Sequence, residues 1–415
     1  MVGSRISYAT VAATVASCLT LLAAAGPAAA APATVAKGLS GLSFGPVLVD
    51  GRVVYGSGRK VRSFDPATGR QTVLRGVSTP YSISSTQEDN YRPQVHPATC
   101  CGSFASSVDR LEVSPTRTAW LASNGQSDPA DYFTFSSTVE TLATGAAGST
   151  TVTGYTRAGQ LGGAGGCSPA VTGAEPEAPL SLALGGDLIA YEVATPPPGC
   201  TSADYPEERR IVARDLGPGD AAPGPARVLA SATTSTPGPM FGALQVAGRY
   251  VAWSEAPDTI VVYDATAGAE VYRGAGPPGG EVSAFLIDDS GRIALSWVPD
   301  GGVATTAWLS PADHQLHTLG EGTLEAFGGG RALLSRTLPY SRGTQLWSAP
   351  LTGAAPELVT TFRGHAKREG TVGADATRAT WARSVRRHER CHPARSRACR
   401  RHPLVDVTTY EVLTR

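Results

Sequence analysis

Short apolar runs separated by tight turns recur along the chain, and one copy shows the pattern clearly. Ala247-Gly248-Arg249-Tyr250-Val251-Ala252-Trp253-Ser254 reads as a strand that follows a Gly-Arg turn and ends on an aromatic residue. Alternating polarity then predicts a third strand over Thr259 to Asp264 and, after a turn, a fourth strand over Glu270 to Arg273. One unit of the pattern is therefore four short strands joined by turns.

The same frame occurs seven times, and its aromatic position measures the repeat. That position is held by Tyr55, Trp120, Tyr191, Trp253, Ser296, Ser335 and Trp381, with spacings of 65, 71, 62, 43, 39 and 46 residues. Four antiparallel strands in a period of about 40 residues are typical of a propeller blade. The sequence thus predicts an all-β fold, a seven-bladed β-propeller of four-stranded antiparallel blades. A six-bladed ring with a separate β unit is the alternative.

Two turn motifs connect the chain with a known group of repeat proteins. A D-x-x-x-G turn spans Asp65 to Gly69 and again Asp264 to Gly268, and a G-R-x-x-A-W hairpin spans Gly248 to Trp253. In these motifs the chain resembles exported bacterial β-propellers of the TolB/WD40-like kind. The paired Gly-His and Trp-Asp marks of true WD repeats are missing from the sequence, so the resemblance implies the fold more than a function.

The last repeat is one strand short. After Trp381 the sequence offers a single further strand, Leu404 to Leu413. A ring that stayed open there would leave an unpaired sheet edge, which favours aggregation. We therefore expect Thr34 to Leu42, at the start of the mature chain, to supply the outer strand of the seventh blade.

Residues 1–30 have the regions of a secretory signal peptide. Arg5 provides a positive charge, Ile6 to Ala25 form an uncharged apolar stretch, and Ala28-Ala29-Ala30 is a small-residue cleavage site. We expect residues 31–415 to be secreted or held in the cell envelope. A membrane anchor is disfavoured by Gly26-Pro27, and lipid attachment at Cys18 is a minor alternative.

The mature chain keeps six cysteines, and an even number in an exported protein predicts disulfide bonds. Three bonds among Cys100, Cys101, Cys167, Cys200, Cys391 and Cys399 allow 15 connectivities. Cys391 and Cys399 are the easiest pair to assign because they share one short loop, whose closure contributes about 2.6 kcal/mol in the chain-entropy model. We favour bonds from Cys100 and Cys101 to Cys167 and Cys200, since a vicinal bridge strains the peptide between its cysteines.

The surplus residues of the longer repeats fall into five predicted insertions. They lie at 77–108, 122–136, 154–179, 194–209 and 383–403, in links between blades or in loops between the second and third strands. With strands counted from the centre outward, all five lie on one face of the ring. They belong to blades seven, one, two and three, which are contiguous. We expect a disulfide-pinned canopy over one side of that face.

Long ordered loops on a rigid scaffold frequently carry binding sites. The canopy mixes aromatic and polar residues, which suits a protein, peptide or glycan ligand; the same aromatics would also serve to pack the insertions onto the ring. The predicted binding residues are Tyr91, Arg92, His96, Tyr132, Tyr205, Arg386 and Arg387, with Tyr81, Phe104, Phe133 and Phe135 as further aromatics.

Basic residues are concentrated near the C-terminus of a chain whose 35 Lys plus Arg balance 35 Asp plus Glu. From Arg363 to Arg415 there are 13 basic and 5 acidic residues, or +8, which leaves 22 and 30, or −8, elsewhere. The arginine-rich segment 383–403 predicts contact with an anionic cell-wall polymer or membrane surface; a solvated hairpin explains it equally well. Nucleic acid is not expected, because no aromatic residues are interleaved there.

Motifs that resemble catalytic or metal sites fail in their context. His388-Glu389-Arg390-Cys391-His392 matches a zinc-protease motif but is followed by Pro393 and flanked by arginines. Gly41-Leu42-Ser43-Phe44-Gly45 lacks the strand-turn-helix of a nucleophile elbow, and His314 with His317 are too few ligands for a metal. We expect no metal and no cofactor.

The sequence therefore favours a monomeric binding or scaffold module outside the cytoplasm. The alternative is a glycan-cleaving hydrolase or lyase on the same fold, which needs two carboxylates, or a base and a charge stabiliser, at the ring centre. Its candidates are Glu192, Glu255, Asp131 and Glu207, among which the sequence selects no pair.

Overall fold

The computed structural model describes residues 31–415, apart from 75, 88–101, 128–131, 161–169, 172–177, 196–206, 235–240, 256–258, 278–279, 301, 313, 340–342, 365 and 391–403. In this described part the chain forms 30 strands and no α-helix. It accordingly contains no helix of the length and apolar character needed to cross a membrane.

The strands form seven antiparallel sheets, one for each predicted repeat. Strand β1 (Ala33–Leu39) comes first. Blade one contains β2 (Phe44–Val49), β3 (Arg52–Ser57), β4 (Lys60–Asp65) and β5 (Arg70–Val73). Blade two contains β6 (Tyr81–Gln87), β7 (Gly102–Val113), β8 (Arg117–Ser127), β9 (Tyr132–Ala143), β10 (Thr150–Gln160) and β11 (Ala170–Val171). Blade three contains β12 (Ala178–Gly185), β13 (Leu188–Thr195), β14 (Glu207–Asp215) and β15 (Arg227–Thr234).

The remaining four blades follow in chain order. Blade four contains β16 (Phe241–Ala247), β17 (Tyr250–Glu255), β18 (Thr259–Asp264) and β19 (Ala269–Ala275). Blade five contains β20 (Gly280–Ile287), β21 (Ile293–Pro299), β22 (Thr305–Leu309) and β23 (Leu316–Glu321). Blade six contains β24 (Thr323–Gly328), β25 (Arg331–Thr337), β26 (Thr344–Pro350) and β27 (Glu357–Phe362). Blade seven contains β28 (Ala366–Ala374), β29 (Ala379–Arg390), β30 (Leu404–Thr414) and the N-terminal β1. The predicted seven-bladed β-propeller is confirmed.

The aromatic position of the repeat lies on the second strand of each blade and faces a neighbouring blade. Tyr55, Tyr191, Trp253 and Trp381 are at most 1% exposed, and Trp120 is 8% exposed. Because a blade is covered on both faces, consecutive residues such as Val251, Ala252 and Trp253 are all fully buried, although their side chains point in opposite directions. The apolar runs of the sequence thus form the contacts between blades.

The D-x-x-x-G turn closes the outer hairpin of a blade through its aspartate. Asp65 Oδ1 accepts a hydrogen bond from Ala67 N at 2.8 Å, and Gly69 N donates to Asp65 O at 2.8 Å. These backbone bonds lower the pKa of Asp65. Asp264 repeats the arrangement with the backbone nitrogens of Thr266 and Ala267, both at 2.9 Å. The glycine that ends each turn has a positive φ of 69°, which explains its identity.

The predicted closure of the ring by the start of the mature chain is confirmed. Strand β1 pairs antiparallel with β30, with Thr34 opposite Leu413 and Ala36 opposite Val412. Blade seven therefore has the order β1-β30-β29-β28, with its outer strand drawn from the other end of the sequence.

The two faces of the ring differ in their connections. We call the face that carries the first-to-second and third-to-fourth turns the hairpin face, and the opposite face, with the second-to-third loops and the links between blades, the link face. The described parts of the five predicted insertions lie on the link face, and they are largely strand. Segment 122–136, predicted as a loop, consists mainly of the continuation of β8 to Ser127 and the start of β9 at Tyr132. The loop interpretation of these parts is wrong, because their serine, threonine and aromatic residues pair across the hairpin.

Candidate functional site

Blades two and seven have strands that rise above the link face. Strands β7 to β10 are 11 or 12 residues long, and β29 and β30 have 12 and 11 residues. The strands of blades four to six have only five to eight. Since all blades share the same hairpin turns on the other face, the additional length projects from the link face.

Two further strands widen this projection in blade two. Strand β6 pairs with the first half of β7, from Tyr81 opposite Val108 to Gln87 opposite Gly102. Strand β11 pairs with the end of β10 at Arg157 and Ala158. We call the projecting part of blade two, residues 81–87, 102–108, 123–127, 132–137, 156–160 and 170–171, the link-face platform. It is a six-stranded sheet whose two edge strands are β6 and β11.

The structure places three of the predicted binding residues on these long strands. Tyr132 is the first residue of β9, opposite Gln160. Arg386 and Arg387 lie on β29 opposite Thr408 and Val407, and Arg386 is exposed. Blade one lies between the two groups in the ring. Outside the described residues lie Tyr91, Arg92, His96, Tyr205, Cys100, Cys101, Cys167, Cys200, Cys391 and Cys399, and the predictions made for them stay predictions.

Acidic residues offset part of the positive charge at the base of blade seven. Arg383 Nε lies 2.9 Å from Glu411 Oε2. Arg368 forms an ion pair with Glu325 of blade six, whose other carboxylate oxygen accepts a hydrogen bond from Ser335 at 2.6 Å. Ion pairs with Glu411 and Glu325 therefore hold Arg383 and Arg368 against the ring.

The carboxylates proposed for glycan cleavage are held in ion pairs where their side chains are described. Glu192 accepts from Arg209 Nη1 at 3.2 Å and from Ser181 Oγ at 3.4 Å. Glu255 accepts from Arg273 Nη1 at 2.7 Å and from Trp253 Nε1 at 3.0 Å. Burial alone would raise the pKa of Glu255, but these hydrogen bonds outweigh it and the pKa lies below its ordinary value. That direction is opposite to the one a general acid needs. Asp131 and the side chain of Glu207 lie outside the described residues.

Glu112 is a carboxylate near the ring axis that the sequence analysis missed. It lies on the innermost strand β7 opposite Ala119, with Arg110 Nε 2.9 Å from its Oε1. Burial raises the pKa of Glu112 and outweighs the opposing effect of Arg110. The equivalent positions in blades three and five hold Ala183 and Phe285. Blade four has the polar Gln245 at the equivalent position. Glu112 is the single carboxylate among these seven positions, a signal that requires the strand register to be recognised.

A cavity of about 770 Å³ opens between blades one and two on the hairpin face, opposite the predicted canopy. Its walls come from the first hairpin of each blade, the end of β5 with the residues that follow it, and the turn between β9 and β10. The apolar lining is Val49, Val54, Val73, Leu74, Val77, Val113 and Leu142, and the charged lining is Asp50 and Arg52. Its described lining contains one carboxylate, so these residues do not offer the acid pair of a glycoside hydrolase.

The two histidines of blade five pack against aromatic rings. His317 stacks on Trp308 with ring centroids 4.5 Å apart, and His314 lies 5.4 Å from Tyr272. Within the described part of the chain, no group of three His, Cys, Asp or Glu residues is arranged to hold a metal ion.

Comparison with known proteins finds solved β-propeller structures of low sequence identity. No family model and no curated protein matches the sequence. Among solved structures, the β-propeller domain of Cps50 (Swd1) from Myceliophteria thermophila is 11% identical, with 92% of this chain and 99% of that chain covered and a TM-score of 0.44. The β-propeller domain of the Trilobed protease from Pyrococcus furiosus is 9% identical, with 66% and 77% covered and a TM-score of 0.43. BamB from Moraxella catarrhalis is 12% identical, with 90% and 85% covered and a TM-score of 0.34. These values carry no argument about function, and no sequence family supports the TolB-like part of the resemblance.

Proposed function

We propose that this chain is a binding module whose link face holds a polypeptide partner. The observation that carries the proposal is the link-face platform, a six-stranded sheet that continues blade two beyond the ring. The propeller has no need of these extensions, because blades four to six form complete four-stranded sheets with much shorter strands. The additional ordered surface therefore serves a purpose other than closing the ring.

A polypeptide suits the platform because the sheet ends in a strand edge. Strand β6 pairs with β7 on one side, and within the described residues no strand pairs with its other side. An open edge presents backbone N–H and C=O groups that an extended peptide can satisfy by adding a strand. Strand β6 itself contains Ser82, Ser84 and Ser85, and this polar composition limits self-association through the open edge. A glycan would gain no comparable advantage from an unpaired backbone.

The setting that we propose is outside the cytoplasm. It is supported by the signal-like residues 1–30 and by the six cysteines of the inserted segments, which disulfide bonds would pin together. An anionic wall polymer or membrane surface is an additional contact for the arginines of 383–403. The ion pairs of Glu192 and Glu255 support binding over glycan cleavage.

A shortened hairpin tests the proposal. Ala122 and Thr138 are opposite each other, so residues 123–137 can be replaced by an Asn-Gly turn that leaves the four-stranded blade intact. The control deletes residues 219–222, which are exposed on the hairpin face of blade three. Twelve-residue peptides displayed on phage are selected on the mature chain, and their affinities for the three proteins are measured by calorimetry.

We expect the selected peptides to lose at least about tenfold in affinity for the shortened hairpin, since the added strand loses the sheet it extends. The control should bind them as the parent does. Equal affinity for all three proteins would overturn the proposal. A parallel glycan array that yields a ligand sensitive to the same hairpin, while no peptide is selected, would replace the polypeptide by a glycan.

A further inference from the structure

We propose that the cavity between blades one and two binds a small amphipathic molecule with an apolar body and one anionic group, and that Arg52 is the partner of that group. The site lies on the hairpin face and is independent of the polypeptide site proposed above. Nothing in its chemistry requires the platform, so each proposal can fail without the other.

The cavity exists because blades one and two are the most loosely packed neighbours in the ring. Within the described residues, the inner strands of neighbouring blades are in contact at all six of the other junctions. Examples are the contact of β2 with β28 and those of β12 with β7, β8 and β16. The strands of blades one and two do not approach as closely. Small residues of the β9–β10 turn, Gly145, Ala146, Ala147 and Gly148, line the space without filling it. Val54 and Val61 of blade one pack against Leu111 and Trp120 of blade two. Beside this core, on the hairpin face, the two blades enclose a wedge.

The walls of the wedge are suited to an apolar body. Seven valine and leucine side chains line it, and a volume of about 770 Å³ falls within the range of small-molecule sites. Val73 contributes to the wall although 44% of it is exposed, and a bound molecule would cover it. Exposed apolar surface inside a concave site favours a ligand that removes it from water.

Arg52 differs from the other arginines at the same position of the repeat. Arg117 donates from Nε to Asp187 Oδ1 of the next blade at 3.1 Å, and Arg378 donates to Gly51 O of the next blade at 3.0 Å. Arg331 reaches Asp375 O at 2.7 Å, while Arg292 and Arg249 bind aspartates of their own blades at 2.7 and 3.1 Å. Four of these five guanidinium groups join two turns of the hairpin face, and Arg292 binds the aspartate of its own turn.

Arg52 has no such hydrogen bond in the described part of the chain. The wedge lies where its target on blade two would be. Its charge acts on Asp65, whose carboxylate already accepts hydrogen bonds from Ala67 and Thr68. The Arg52 guanidinium therefore has donors available at the mouth of the wedge, and a carboxylate or phosphate group is the natural acceptor.

The charge of the described lining residues suits a ligand with one anionic group. Among them, Asp50 is the single carboxylate and Arg52 the single cation. A polyanion would face Asp50 without a second cation from these described residues. The hydroxyl groups of Ser63, Thr118 and Ser149 add neutral polar positions. The best match is a molecule shaped like a medium-length fatty acid or the phosphate monoester of a medium-length fatty alcohol.

Dodecanoate is the first probe, and its binding to the mature chain is measured by calorimetry below its critical micelle concentration. Dodecyl phosphate tests whether the carboxylate can be replaced, and dodecyltrimethylammonium tests the charge with the same tail. Arg52→Gln removes the proposed partner, and Arg70→Gln removes an exposed arginine of the same blade that does not line the cavity. Ala146→Trp fills the wedge, and its melting curve shows whether it still folds.

We expect both anions to bind, with Arg52→Gln weakening them about fivefold to tenfold through the lost charge-assisted hydrogen bonds. Ala146→Trp should abolish binding, and Arg70→Gln should leave it unchanged. The methyl NMR signals of Val77 and Leu142 should broaden when the probe is a spin-labelled fatty acid. Three results would each overturn the proposal: no binding of either anion, equal binding of the cation, or equal effects of Arg52→Gln and Arg70→Gln. If Ala146→Trp does not fold, the arginine pair and the methyl signals still decide.

Discussion

Blade one meets blade seven through a close contact of their inner strands, whereas on the hairpin face it meets blade two across an open wedge. At the first junction, Thr371 Oγ1 donates to Pro46 O at 3.1 Å and Arg378 Nη1 donates to Gly51 O at 3.0 Å. A Cβ atom placed on Gly373 would lie 2.6 Å from Leu48 N, so the two inner strands leave no room for a side chain at this position. At the second junction, Arg52 lacks the equivalent bond among the described residues and Gly148 has nothing within 4 Å of its missing Cβ.

The difference is unexpected from chain order. Blades one and two follow each other directly, whereas residues 46 and 371 are 325 positions apart. Joining distant segments costs more chain entropy than joining neighbours, and the contact that closes the ring must offset that cost. The junction of blades one and two is tethered by the chain itself and tolerates a gap. The tight junction therefore maintains the ring, and the loose one is available for binding.

Among the changes that test this comparison, removal of the closing strand β1 should have the largest effect on the stability of the protein. Without residues 32–43, β30 loses its pairing with β1, and the apolar cluster of Val53, Tyr55, Ala382 and Val412 loses its outer cover. We expect the melting temperature to fall by about 5 °C or more. Lys37→Glu, an exposed change on the same strand, is the control. An unchanged melt of the shortened chain would contradict closure by β1.

Paired glycine substitutions test the packing of the two junctions directly. Gly373→Ala forces a methyl group against Leu48 N and should reduce the free energy of unfolding by about 2 kcal/mol, since the backbones must move apart. Gly148→Ala, at the wedge, should change it by less than about 0.5 kcal/mol. Urea unfolding of both variants provides the measurement. A similar loss in both would mean that the wedge is as tightly packed as the closing junction.

The two hairpin arginines of these junctions should also differ. Arg378→Gln removes a hydrogen bond between blades seven and one and should cost about 1 kcal/mol. Arg52→Gln removes no hydrogen bond within the described residues, and we expect a change below about 0.5 kcal/mol without ligand. Comparable costs for the two variants in thermal melts would show that Arg52 already has a structural partner.

Glu112 extends the comparison to the other side of blade two, where its opposite residue Ala119 packs against blade three. Because burial raises its pKa, the folded protein binds this proton more tightly than the unfolded chain. Ionisation therefore opposes folding, and stability is lost as the pH rises from the ordinary glutamate pKa through the raised one. Glu112→Gln should remove that loss, by less than about 1 kcal/mol because 32% of the side chain is exposed.

Melting temperatures between pH 4 and pH 8 measure this effect. The variant and the parent should be most similar at pH 4 and differ increasingly, in favour of the variant, toward neutral pH. Glu321→Gln changes an exposed residue, and its melting temperature should follow that of the parent at every pH. A parent whose stability rises with pH relative to Glu112→Gln would show that Arg110 dominates the environment of Glu112.

The repeat could be predicted from the sequence because it depends on the local alternation of apolar and polar residues and on the residues of the turns. Tyr55, Trp253 and Trp381 are buried on second strands as expected, since a side-chain period of two places them between blades wherever the ring forms. The additional length of the strands in blades two and seven could not be predicted from the sequence. Serine- and glycine-rich stretches such as 122–127 resemble loops in sequence, and they become strands because a neighbouring strand satisfies their backbone.

The candidate sites depended even more on tertiary structure. A β-bulge interrupts the pairing of the first and second strands in all seven blades, so counting residues does not reveal which inner side chains face the axis. For this reason Glu112 was missed. The Gly-Arg turn was recognised as a mark of the repeat, but its hydrogen bonds to the next blade became visible only in the ring.

By itself, the amino-acid sequence determined the number of blades, the residues between them and the strand that closes the circle, because these follow from short-range periodicity and from the need to cover an edge. Only the tertiary structure decided which junctions between blades are closely packed and which junction is open. Spacing between blades depends on how the side chains of both neighbours fill a shared volume, and the wedge beside Arg52 is the place where they do not fill it.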